Sequence, residues 1–240
     1  MTRAAESGWP VRTPPAIFSR LMRIHDISQP LGTKTATWPG DRAVDVEWTL
    51  RIDRGDSVNV AALATSVHAG THIDGFLHVT RDGETAARMP LDAYVGPCIV
   101  VEAFGGGDVS PGDVAHLDLR SVTRILFRTR RTVDETTFPE RFAHIAPALA
   151  RQLAAAGVRL VGTDAPSVDP VDSKSLDSHH AFVDGGVAIL ENVVLTDVRP
   201  GEYMLIALPL RLVEADSSPV RAVLIEGDIT QHPGPGPEVQ

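Results

Sequence analysis

Within eleven residues, His68-Ala69-Gly70-Thr71-His72-Ile73-Asp74-Gly75-Phe76-Leu77-His78, the chain carries three histidines and one aspartate, separated only by small or apolar residues. This segment restricts the folds available to the chain. On a straight α-helix, His68 and His72 would share a face and Asp74 would turn away from them. In an extended chain, positions 68, 72, 74 and 78 have the same parity and project from one face. Gly70 and Gly75 loosen either arrangement. The segment is read as extended or looped, turning its four polar side chains toward one point.

Imidazole nitrogen and carboxylate oxygen suit zinc and its neighbours in the transition series. A second stretch adds to them: Leu176-Asp177-Ser178-His179-His180, followed by Val187-Ala188-Ile189-Leu190-Glu191-Asn192. An ionised glutamate in an apolar run is costly unless it is paired or bound to a cation, which makes Glu191 a candidate ligand. His68, His72 and Asp74 could form most of one tetrahedral site or anchor one metal of a pair. With a histidine of the 179–180 pair and Glu191 the set reaches five, too many for one tetrahedral zinc with an open position. It suits two metals sharing carboxylates, and Asp74 has the two oxygens to bridge them. Spacing does not choose between His179 and His180. His78 is then free to move protons as general acid or base. His25, His116 and His144 are read as structural or solvated.

The formal net charge of −9 argues against nucleic acid or an anionic membrane as the main partner. The single cysteine, Cys98, cannot form an internal disulfide and is read as a buried thiol. No run is long and apolar enough to span a bilayer, and residues 1–19 lack the apolar core of a secretory signal, so the expected setting is the cytoplasm.

Residues 1–20 read as an N-terminal extension, 21–226 as one domain, and 227–240, dense in proline and glycine, as a disordered tail in which His232 is no ligand. Between the tails the pattern is mixed α and β. Strands are predicted at Ile99–Glu102, Arg124–Arg128, Arg159–Gly162, Met204–Leu212 and Val220–Ile225. A helix is predicted at Ala146–Ala156, with Gly157 as its C-cap.

The histidine segment resembles the HxGTHxDxPxH signature of the cyclase-like metal hydrolases. Asp26–Leu31, Trp38-Pro39-Gly40-Asp41, the stretch Pro90–Cys98, Gly162–Pro170, Ile189–Asn192 and Leu205–Leu210 are similar to elements of the bacterial kynurenine formamidases (arylformamidases) within that superfamily. The resemblance runs over about residues 24–225. The chain departs from the signature at Phe76, where the family has proline, and the ring is expected near the site, with an effect on substrate preference.

The resemblance implies an α/β domain of the cyclase-like (swivelling β/β/α) type, with a mixed, barrel-like sheet and flanking helices. It implies two zinc ions per subunit, with manganese compatible: His68 and His72 on the first, His179 on the second, Asp74 and Glu191 shared. It makes His78 the proton carrier and Trp38 a contact to an aromatic substrate. The implied reaction is hydrolysis of an aryl formamide, N-formyl-L-kynurenine above all, by a homodimer or homotetramer. The rivals are ring opening of a cyclic amide such as isatin, and a non-catalytic metal- or ligand-binding role.

Overall fold

The run Ile125-Leu126-Phe127 is buried on both sides, as a strand inside a layered sheet must be. The computed structural model describes residues 22–105 and 107–227. Its elements in chain order are β1 (Arg23–Asp26), β2 (Asp45–Leu50), β3 (Val60–Ala64), β4 (His72–Asp74), β5 (Val95–Glu102), β6 (Arg124–Arg128), α1 (Pro147–Ala156), β7 (Leu160–Thr163), α2 (Asp177–Asp184), β8 (Ala188–Glu191), β9 (Gly201–Ile206), β10 (Ser217–Pro219) and β11 (Val223–Glu226). The expected N-terminal extension, and all but the first residue of the expected tail, lie outside the described residues.

Nine of these strands form one mixed sheet in the order β1-β11-β9-β5-β6-β7-β8-β4-β10, while β2 and β3 form a separate two-stranded sheet. The pairs from β5 through β8 are parallel and the others antiparallel. The sheet curls into a half-barrel. Alternation along each strand divides the core. Leu126 and Leu190 point into the cluster that holds Ile73, Tyr94, Leu205 and Leu224. Ile125, Phe127 and Ile189 point the other way, onto Leu149 and Leu153 of α1 and Phe182 of α2. The α/β class, with a mixed, curled sheet and flanking helices, is as the sequence predicts.

Helix α1 begins at Pro147, whose missing N–H costs nothing in the first turn, and ends at Gly157 with φ +88°. The predicted strand Met204–Leu212 stops at Ile206, ahead of Pro209, which cannot donate to a ladder. The predicted strand Val220–Ile225 is β11 entered late, because Val220 donates to Thr71 instead. Cys98 is buried, and burial pushes its thiol pKa up.

Candidate metal centre

The short strand β4 is the floor of the site. It lies between β8 and β10, with His72 opposite Glu191 and Asp74 opposite Ser217. The whole of 68–78 is not one extended strand. Gly70 takes φ +65°, a conformation glycine adopts freely, and the turn there brings His68 back over the strand. After Asp74 the chain passes into a single 3₁₀ turn, Phe76–His78, which returns His78 to the same side. Gly75 permits this, because a Cβ there would stand 2.8 Å from the Glu84 carbonyl and 2.9 Å from that of Asp216.

Three imidazoles face two carboxylates. His68 Nδ1 lies 3.2 Å and His72 Nε2 3.6 Å from Asp74 Oδ1, and His179 Nε2 is 3.6 Å from Asp74 Oδ2. Glu191 repeats the pattern, with Oε2 3.4 Å from His72 Nε2 and Oε1 3.6 Å from His179 Nε2. Each carboxylate thus turns one oxygen to His72 and the other to His179. His179 is buried on α2 and its neighbour His180 is exposed, which separates the two candidates left open by spacing.

The opposite nitrogen of each ring is held. His68 Nε2 is 3.0 Å from Asp216 Oδ2, His72 Nδ1 is 2.8 Å from the Gly70 carbonyl, and His179 Nδ1 is 2.7 Å from Asp169 Oδ2. Asp169 also accepts from the backbone N–H groups of Ser178 and His179, so one side chain caps the start of α2 and orients the ring. His78 is oriented the same way, with Nδ1 3.0 Å from Asp216 Oδ2.

Electrostatics follow from this crowding. Burial alone would lower the pKa of His68 and of His179. The carboxylates of Asp216 and Asp74 outweigh burial at His68, and those of Asp169, Asp74 and Glu191 at His179, and both are pushed up to about 10. The His68 and His78 rings hold Asp216 far below the usual carboxylate range. Burial would raise Asp74, but the surrounding imidazoles lower it well below its ordinary value.

The donor set fits a metal. Both oxygens of buried Asp74 lack a hydrogen-bond partner, a costly state for a carboxylate unless a cation meets it. Ligands at about 2.0–2.2 Å from zinc in a tetrahedral site stand roughly 3.3–3.6 Å apart, the spacing of these nitrogens and oxygens. Anchoring the second ring nitrogen on a carboxylate or carbonyl is the usual support of a metal-binding histidine.

The cluster opens into a cavity of about 670 Å³, whose lining includes Trp38, Arg130, Phe138, His78 and Asp216. Trp38 packs edge-to-face on Phe138, with ring centroids 5.1 Å apart. Leu176 and Asn192 both have positive φ and line this cavity beside His179 and Glu191, a placement of backbone strain common at functional sites. Phe76 does not line it. Its ring packs against the core cluster around Ile73 and Tyr94, on the far side of β4, which corrects the expectation that it intrudes on the site.

Fold and centre together define the class: an α/β protein of the curled-sheet type with a histidine–carboxylate cluster at the base of a small-molecule cavity. The family described as "Putative cyclase" matches residues 25–170, and the chain belongs to it. A kynurenine formamidase from Salinibacter ruber is 47% identical over 206 residues, which cover 85% of this chain and 97% of the relative. A solved structure described as a potential metal-dependent hydrolase with cyclase activity superposes with a TM-score of 0.75 at 29% identity, covering 86% of this chain and 99% of that one. Isatin hydrolase A from Labrenzia aggregata has the same fold, with a TM-score of 0.75 at 20% identity, covering 89% of this chain and 97% of its own.

Sequence reasoning missed Asp169, Asp216 and the loop that carries Arg130 and Phe138. Asp169 lies in the stretch Gly162–Pro170, whose family resemblance was the one signal that could have found it. The loop residues carried none.

Proposed function

We propose that the protein is an arylformamidase that hydrolyses N-formyl-L-kynurenine to L-kynurenine and formate, a step of tryptophan degradation. The observation that carries this reading is the pair of carboxylates, Asp74 and Glu191, each shared between His72 and His179 beneath an aromatic-walled cavity. The 47% identity to a kynurenine formamidase supports the choice of substrate. The ligand assignment proposed is His68 and His72 on one metal, His179 on the other, and Asp74 and Glu191 bridging. Zinc suits the donors, and manganese is compatible. Bound metal supplies Lewis acidity toward the formyl carbonyl and lowers the pKa of water in the site.

The chain's own residues do the rest. Trp38 and Phe138 take the substrate ring between the cavity mouth and the cluster. With Nδ1 held by Asp216, His78 keeps Nε2 for proton transfer. His78 takes a proton from water as the water oxygen joins the formyl carbon, then delivers that proton to the aryl amine as the C–N bond breaks, leaving formate with its remaining proton lost to solvent.

A homodimer or homotetramer is proposed on the β2–β3 hairpin. Val46 and Trp48 share one face of β2, with Leu63 opposite Val46, and all three are exposed. An isolated hairpin with an apolar face is marginal in water and calls for a partner surface. A free, buried thiol at Cys98 accords with a cytoplasmic setting. Among the described residues no helix is long and apolar enough to cross a membrane.

The deciding experiment is turnover of N-formylkynurenine and of isatin by the purified, zinc-loaded protein. Release of kynurenine from the first, with isatin a poor substrate, is expected. Failure to deformylate N-formylkynurenine would overturn the reading.

A further inference from the structure

One wall of the cavity has no part in the metal cluster. The segment between β6 and α1 contributes Arg130, Asp134, Glu135, Thr137, Phe138 and Pro139 to the lining. Apart from histidines, the lining contains two cationic side chains, Arg42 and Arg130. Arg42 is exposed, whereas Arg130 is half-buried.

Arg130 is also built into place. Asp164, at the end of β7, is fully buried, and its carboxylate accepts the Thr129 N–H at 3.0 Å and the Arg130 N–H at 2.9 Å. Thr129 Oγ1 donates to it as well. A buried carboxylate spent on the backbone at positions 129 and 130 fixes where the Arg130 side chain leaves the sheet. The guanidinium itself makes one long hydrogen bond, from Nη1 to the Asp164 carbonyl at 3.5 Å, and no ion pair among the described residues. A half-buried arginine with a pinned backbone and its donors largely unspent is suited to a carboxylate, which its planar fork can take with two parallel hydrogen bonds.

We propose that Arg130 selects formamides bearing an amino-acid carboxylate and takes that carboxylate in its guanidinium, so that this wall recognises the substrate end remote from the formyl group. The adjacent Asp134 and Glu135 suit the ammonium group that an α-amino acid carries one carbon from its carboxylate. Asp164 acts through Arg130 and is a positioning residue. This inference rests on the arylformamidase reading.

The test compares two substrates, N-formylkynurenine and formanilide, which has the aryl formamide and lacks the amino acid. In Arg130→Met, kcat/KM for N-formylkynurenine falls about 10- to 100-fold, the range for losing a hydrogen bond to a charged group, through KM more than kcat. Activity on formanilide stays within about twofold of wild type, which also reports that the variant is folded. Arg130→Lys gives an intermediate loss, since the charge remains and the fork does not. Arg42→Met leaves the ratio of the two substrates unchanged. Equal losses on both substrates in Arg130→Met, or a selective loss in Arg42→Met instead, would overturn the assignment. Wild-type protein inactive on both substrates would instead defeat the arylformamidase reading itself.

Discussion

Asp216 Oδ2 lies 3.0 Å from His68 Nε2 and 3.0 Å from His78 Nδ1, so one oxygen holds a ring proposed to bind metal and the ring proposed to carry the proton. The register explains how. Asp74 pairs with Ser217 across β4 and β10, and Gly75 N donates to the Asp216 carbonyl at 2.7 Å, placing residue 216 beside the chain as it turns toward His78.

Asp216→Asn keeps an acceptor and loses the charge. Such supports of a metal-bound or catalytic histidine contribute about 10- to 100-fold, and kcat on N-formylkynurenine should fall by that range. Asp216→Ala, with no acceptor, should fall further. Steady-state kinetics beside zinc analysis checks it, and an Asn variant with undiminished kcat would remove Asp216 from the proton-handling machinery.

His78→Ala should lower kcat by roughly 10²- to 10⁴-fold, the contribution of a positioned acid–base group, with metal content unchanged. His72, buried with Nε2 facing both Asp74 and Glu191, should behave in the opposite way: His72→Ala loses metal and activity together. Elemental analysis of the two purified variants separates the roles. Loss of metal from His78→Ala would contradict the assignment.

Metal loading should release protons. In chelator-stripped protein His68 and His179 are pushed up to about 10, so both rings are protonated at neutral pH and must lose protons to bind metal. Zinc affinity should therefore rise with pH up to about 10, and zinc added to weakly buffered stripped protein at pH 7 should acidify it. The same shift sets stability without metal. Both rings have a folded pKa above the unfolded value, so their contribution is complete below about pH 6.5 and fades as pH rises through about 10. A thermal melt series on stripped protein should show Tm falling over that window. Zinc uptake without proton release would refute the charge state given to these rings.

The fold class, the helix α1 with its glycine cap and four of the five clustered residues, His68, His72, Asp74 and Glu191, are legible in the chain, because each rests on local pattern or residue chemistry. His68, His72 and Asp74 lie close in sequence, and Glu191 stands out as a charge in an apolar run. The choice of His179 over His180 depends on which side of α2 faces β8, and no spacing rule states that. Asp216 stands two residues after Glu214 with nothing in the chain to single it out, and its role depends on pairing with a strand more than a hundred residues earlier. Parity along 68–78 foresaw convergence but not its means: a three-residue strand, a left-handed Gly70 and a 3₁₀ turn do what extended chain alone would not.

The hairpin makes a prediction about assembly. Trp48→Glu combined with Leu63→Glu places two charges on the exposed apolar face of β2 and β3, where both side chains already meet solvent in a single subunit. If that face joins subunits, light scattering should show the mass falling toward that of one 25.7 kDa chain, with circular dichroism unchanged. A variant that keeps the wild-type mass would show that the hairpin is not the contact.

Phe76 supplies the last prediction. Its ring packs with the core around Ile73 and Tyr94, away from the cavity that Trp38 and Phe138 line. Phe76→Leu should therefore act on stability and not on substrate choice. Trimming a partly buried aromatic costs about 1–3 kcal/mol, so Tm should drop by several degrees. The ratio of kcat/KM for N-formylkynurenine to that for formanilide should stay within about twofold of wild type. A changed ratio at unchanged Tm would mean that residue 76 reaches the substrate after all, and would return to Phe76 the influence on specificity that its departure from the HxGTHxDxPxH pattern first suggested.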